Sequence, residues 1–218
     1  MTARGDLLIR DLGGSNANDV ANELLKEFQR GYPIEALGAL FESNNDGIVK
    51  NASWLASELG TKAMPVFDAV LPNLKHGLAY ARFFAIDVIL VCAGSKDGKA
   101  VASVVSMLED SDKAVRWKAI CFLASASKEQ ISSSYEYLAD DRLRKLVSWI
   151  ISIDSNRDAA SERIMEKLGS ADSLERKFSA AASARISEIY PEALSAAAQS
   201  SDDEVSSFAS DFRKTRRS

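Results

Sequence analysis

With 218 residues, 46% hydrophobic and 27% charged, the chain has enough apolar side chains to bury a core, which sets it apart from disordered sequences. Glycine (11) and proline (4) are scarce and strand-like alternation is hard to find, so an almost wholly helical chain is expected. The net charge of −4 is mild but uneven, because Arg213-Lys214-Thr215-Arg216-Arg217 gathers four positive charges at the C-terminus, read as a solvated basic tail over 213–218.

In chain order, Met1-Thr2-Ala3-Arg4-Gly5-Asp6 lacks a basic region followed by an apolar stretch, so no signal peptide is expected. A helix is predicted around Asn18–Arg30, ended by Gly31 and Pro33. Ile48-Val49-Lys50-Asn51-Ala52-Ser53-Trp54-Leu55 opens another, with Gly60 as its C-cap. The longest apolar run, from Phe83 to Ala93, is interrupted by Asp87 and falls short of the ~20 residues that cross a bilayer. After Leu108, Asp110 or Asp112 supplies an N-cap oxygen for a helix whose Val115, Ala119, Phe122 and Leu123 recur at the helical period. A second helix follows Ser125-Ala126-Ser127, with Ile131, Tyr135 and Leu138 on one face. Leu143, Leu146, Val147, Ile150 and Ile151 open a further unit, and Leu174, Phe178, Ala181 and Ala182 the next. Val205, Phe208, Ala209 and Phe212 mark the final helix. Cys92 and Cys121 sit in apolar helix patterns, which predicts buried thiols in a reducing, cytoplasmic compartment.

An apolar anchor followed by acidic or turn-forming residues recurs at Phe41, Leu74, Leu108, Leu138, Leu168 and Ala198, at spacings of 33, 34, 30, 30 and 30 residues. Two helical patterns lie between successive anchors. A period in this range marks a stacked array in which each unit buries its apolar face against its neighbours. The run from Leu108 to Ala124, with Asp112, Val115-Arg116, Ala119 and Leu123, resembles a HEAT repeat of the short bacterial kind. The resemblance covers most of the chain as architecture, but this unit alone matches well residue by residue. It implies an all-α fold, a right-handed α-solenoid of about six stacked helix pairs in one domain spanning 1–218. It also implies a structural ladder between units, with Asp112, Asp172 and Asp202 four residues after their anchors and Arg82, Arg116 and Arg176 eight after theirs. The units at 74 and 138 lack the aspartate, so an incomplete ladder is expected.

Catalytic groups are few. His76, the one histidine, lies at a helix junction, and with two buried-looking cysteines it makes a poor metal set, so neither a metal nor a cofactor is expected. The pairs Glu109-Asp110, Asp140-Asp141 and Asp202-Asp203 precede helix starts, where capping explains them better than two-carboxylate chemistry. Gly13-Gly14 lacks the spacing of a phosphate-cradling loop and reads as a turn. Phe67, Tyr135, Phe178, Trp117 and Trp149 fall at packing positions, whereas Tyr137, one residue before its anchor, is expected at the surface.

In HEAT-like stacks the second helix of each pair lines the concave side. With the anchor and the positions seven, four and three before it buried, the outward offsets carry Glu35, Glu42, Asp68, Glu109, Glu136, Glu162, Glu166 and Glu192, against Lys75 and Arg163. Eight acids to two bases is far more lopsided than the chain's 31 to 27. Such a ridge favours basic partners and repels nucleic acid, which needs lysine and arginine at its phosphates. The reading is a non-enzymatic protein-binding solenoid that holds a basic protein or peptide on this face, with Tyr137 beside the acids. Its concrete form is a stoichiometric inhibitor such as a bacterial toxin immunity protein. The alternatives are a HEAT-like DNA glycosylase, for which the groove has the wrong sign, a bilin lyase-like protein, for which no cofactor-specific set can be named, and a structural scaffold.

Overall fold

The computed structural model describes residues 3–155 and 160–215, side chains from residue 4 onward; Arg216 and Arg217 of the basic tail lie outside them. Every regular element among these residues is helical. The chain forms two compact units, Met1–Cys92 and Ala93–Ser218.

The first unit holds α1 (Ala3–Asp11), α2 (Ala17–Gln29), a 3-10 segment Ile34–Leu40, α3 (Asp46–Glu58), a 3-10 segment Gly60–Val66, the short α4 (Phe67–Val70), a 3-10 turn Leu71–Lys75 and α5 (Ala79–Cys92). The chain leaves α2 and α3 through Gly31 (φ +102°) and Gly60 (φ +56°), a left-handed backbone that a Cβ would strain. Between Gly60 and Lys75 the expected second helix is tightened and split, because Pro65 and Pro72 each remove an amide from the α-helical ladder. α3 is the centre of this unit and packs against α2 and α5. It buries Val49, Ala52, Leu55 and Ala56, and also Asn51 and Ser53. The polar pair is satisfied locally: Asn51 donates to the Leu12 carbonyl (3.3 Å), and Ser53 donates to Val49 (2.8 Å) while accepting from Asn73 (3.1 Å).

The second unit contains α6 (Gly98–Ser106) with a 3-10 turn Met107–Glu109, α7 (Lys113–Ser125), α8 (Lys128–Ser133) with a 3-10 turn Tyr135–Tyr137, α9 (Asp141–Ser155), α10 (Ala160–Leu168), α11 (Ser173–Arg185), α12 (Pro191–Ala198) and α13 (Asp203–Thr215). α8 starts on a capping box between Ser127 and Gln130. It stops early because Ser133 and Ser134 turn their hydroxyls onto the carbonyls of Gln130 and Ile131. The tighter turn that follows shifts the phase, so Tyr135, expected in the core, is 40% exposed while Leu138 stays buried. Ile151, Phe212 and Cys121 are likewise only half-buried.

α11 is the hub of this unit. Lys177-Phe178-Ser179-Ala180-Ala181-Ala182-Ser183-Ala184 is buried throughout, and its small side chains let neighbours close in on all sides. α11 packs on α9, α10, α12 and α13, and also on α7, further back in the chain. The buried Lys177 donates to the Leu108 carbonyl (3.0 Å) and lies 3.3 Å from Glu204 on α13, which Arg116 of α7 also holds in a paired hydrogen bond. Arg185 ties the end of α7 to the end of α9, donating to the Leu123 and Ala126 carbonyls (2.8 and 2.7 Å) and pairing with Asp154.

Two stability predictions follow from these contacts. The Arg116 hydrogen bond holds the Glu204 carboxyl below its usual 4.5, with Lys177 adding to it against burial. Because the folded-state pKa is depressed, the stabilisation is fully present above the unfolded value and is lost as pH falls through the folded one. Glu204→Gln leaves Lys177 without its counter-charge and should cost about 2–3 kcal/mol at neutral pH, less than a fully buried pair because Glu204 is 26% exposed. Urea unfolding at stepped pH should show the gap to wild type closing below about pH 4.5. At Gly98, an added Cβ would sit 2.1 Å from the Ser133 carbonyl oxygen and 2.9 Å from the Tyr137 ring. Backbone cannot step aside as a side chain can, so Gly98→Ala should cost about 1–3 kcal/mol and lower the Tm.

Candidate functional site

All nine residues expected on the outward face of the second elements are exposed. Glu35 lies on the Ile34–Leu40 segment, Glu42 just beyond it and Asp68 on α4, all in the first unit. In the second unit Glu109 ends the 107–109 turn, Glu136 and Tyr137 occupy the 135–137 turn, Glu162 and Glu166 lie on α10, and Glu192 lies on α12. Tyr137 is 57% exposed, with its ring edge over Gly98.

The structure brings some of these together. Glu162 and Glu166 are one turn apart on α10, where like charges at this spacing destabilise a helix by about 0.2–0.5 kcal/mol. α10 packs on α12, and there Glu192 accepts from Ser161 (3.3 Å). Arg163, the base expected among these acids, turns away to donate to Ser152 on α9 (2.7 Å). Glu109 is partly neutralised by Arg142 at 3.1 Å. Glu35, Glu42, Asp68, Glu136, Glu162 and Glu166 have no ion pair among the described residues.

One acid of each pair, together with Asp112, accepts amides of the turn or cap before a helix. Asp112 accepts from Ala114 and Val115, Asp110 from Asp112, Asp140 from Arg142, and Asp202 from Glu204 and Val205. Burial pushes the Asp202 carboxyl up, but hydrogen bonds from Arg176 and the Val205 amide outweigh it and leave the pKa lowered. His76 accepts from the Leu78 amide (3.1 Å) and so closes its own turn. Among the described residues no group of three or more histidine, cysteine or acidic side chains could hold a metal ion, and no helix is long and apolar enough to cross a membrane.

Two grooves lie outside the sequence expectation. One runs between α7 and α13 in chambers of about 700 and 360 Å³, sharing Trp117 and Asp211, with Phe208, Phe212 and Cys121 in the larger. Trp117, expected only to pack, lines both, and its buried indole N–H has no acceptor. The other lies in the first unit between α2 and α3. Its sequence signal was the asparagine cluster at 16, 18 and 22, together with a polar Asn51 inside an apolar helix face.

These features define an all-α protein in which long helices alternate with short helices and 3-10 turns, with exposed acids on the shorter elements of each unit. No protein-family model and no curated protein matches the chain. Among solved structures it is similar to two engineered proteins known from crystal structures, each at 18% identity. One match covers 98% of this chain and 68% of the other with a TM-score of 0.50; the second covers 96% and 94% with a TM-score of 0.51. At that identity the likeness shows the fold alone.

Proposed function

We propose that the chain is a non-enzymatic binding protein, a HEAT-like right-handed α-solenoid whose second elements present an acidic face to a basic protein or peptide. The observation that carries this reading is the set of exposed acids without an ion pair among the described residues, above all Glu162 and Glu166, beside which Arg163 is turned aside to Ser152. An uncompensated ridge speeds encounter with cations and disfavours phosphate-bearing partners. Tyr137 stands beside Glu136 as an exposed aromatic of the kind that anchors interfaces. The concrete form is a cytoplasmic, stoichiometric inhibitor of a basic protein, such as an immunity protein that blocks a nuclease-type toxin. The supporting features are small size, a net charge of −4 and the engagement of Asp112, Asp140 and Asp202 as helix caps.

The test begins with a pull-down from source lysate at low salt, eluted by a salt step, to recover the basic protein. Calorimetry then compares wild type with the Glu162→Lys/Glu166→Lys variant. Reversing two exposed charges should weaken binding by about tenfold at low salt, and the difference should shrink at high salt. Equal affinities at both salt concentrations, or recovery of nucleic acid in place of a protein, would sink this reading.

A further inference from the structure

The groove between α7 and α13 lies wholly within the second unit. Its larger chamber, about 700 Å³, is walled by Trp117, Cys121 and Ser125 of α7 and by Phe208, Phe212 and Thr215 of α13. Residues three or four apart share a helix face, so each helix turns one stripe toward the chamber. The smaller chamber, about 360 Å³, continues from Trp117 toward Lys113 and Asp203 at the starts of the two helices.

The two charges of the larger chamber, Asp211 and Lys214, pair with each other at 2.9 Å at its exposed edge. What remains is largely apolar wall. Phe208 is fully buried beneath it with the Phe212 ring 5.8 Å away, while Phe212, Trp117 and Cys121 are only half-buried. Uncovered aromatic surface around a concave space favours an apolar guest. One polar group breaks this pattern: the Trp117 indole N–H is buried and has no hydrogen-bond partner. An indole nitrogen can only donate, so it stays unsatisfied until an acceptor arrives. Because Trp117 lines both chambers, its ring has open space on two sides in which to turn the N–H toward a guest.

We infer that this groove binds an uncharged aromatic molecule carrying a carbonyl oxygen, of which an aryl ketone is the simplest form. The rings fill the larger chamber against Trp117 and Phe212, and the carbonyl oxygen accepts from the turned Trp117 indole. A charged ligand would lose hydration in that chamber without meeting an unpaired counter-charge, because Asp211 and Lys214 already hold each other. The site uses none of the acids on the shorter elements and does not depend on them.

The test is an NMR titration of the full isotope-labelled chain with benzophenone, reading the indole N–H signals of its three tryptophans, each assigned through its own backbone amide. The Trp117 signal should move downfield and saturate, while those of Trp54 and Trp149 stay in place. Diphenylmethane has the same two rings without the carbonyl and should leave the Trp117 signal without that downfield shift. Trp117→Phe keeps an aromatic wall but removes the donor. It should weaken benzophenone by about tenfold and diphenylmethane far less. Absence of a saturable Trp117 shift overturns the proposal. So does an equal downfield shift with both compounds, a comparison made on the wild type and therefore valid even if the variant fails to fold. The same signal moving as protein concentration is raised without benzophenone would also overturn it, by giving the groove to a second copy of the chain.

Discussion

One arginine contact recurs and sets the angle at which a long helix leaves the turn before it. Arg82 donates from Nη1 to the carbonyls of His76 and Gly77 (2.7 and 3.2 Å), Arg116 to those of Asp110 and Ser111 (2.6 and 3.1 Å), and Arg176 to those of Ser170 and Ala171 (2.8 and 2.9 Å). The same side chain at the same offset therefore closes each of these turns. In the turns at 112 and 172 an aspartate caps the helix from the other side. Carbonyls that point into a turn cannot all reach water, and a guanidinium with several fixed donors satisfies two of them at once. With the turn held on both flanks, the short element before it and the long helix after it move as one piece.

The remaining donors of each arginine decide what the turn is tied to. Arg176 reaches Asp202, the aspartate at the matching offset of the next unit, at 2.8 Å. Arg116 has no such choice, because the matching position holds Arg142, which would repel it. Arg142 instead bridges Glu109 and Asp140, and Arg116 reaches across to Glu204 on α13. That detour is compatible with a close approach of α13 and α11 to α7, and Lys177 fills the space between them. A single departure from the repeat thus coincides with a hub around α11.

The elements of this fold were legible where the chemistry is local. The helix stops at Gly31 and Gly60, the cap at Asp112 and the buried anchors Phe41, Leu74, Leu108 and Leu138 all follow from residue type and spacing. The outward positions also stayed exposed in the short elements, even where 3-10 turns replaced helix and although the anchors Leu168 and Ala198, expected buried, are only half-buried. Tyr135 was misjudged because the count crossed the serine run at which α8 ends. The hub at α11 was hidden because alanine and serine carry little hydrophobic signal, although their small size is what permits close packing on every side.

The same accounting of partners bears on why exposed acids on the shorter elements keep no ion pair among the described residues. Arg82, Arg116, Arg176, Arg185 and Lys177 are all engaged with backbone carbonyls, and Arg116, Arg176, Arg185 and Lys177 also meet carboxylates inside the structure. Cations committed in this way are held among the long helices and cannot swing out to neutralise the shorter elements. Carboxylates such as Glu136, Glu162 and Glu166 are left facing solvent with no ion pair among the described residues. Formal net charge is therefore a poor guide to any one surface, because these cations are committed within the structure while others, Lys62, Lys75, Lys96 and Lys145 among them, stay exposed.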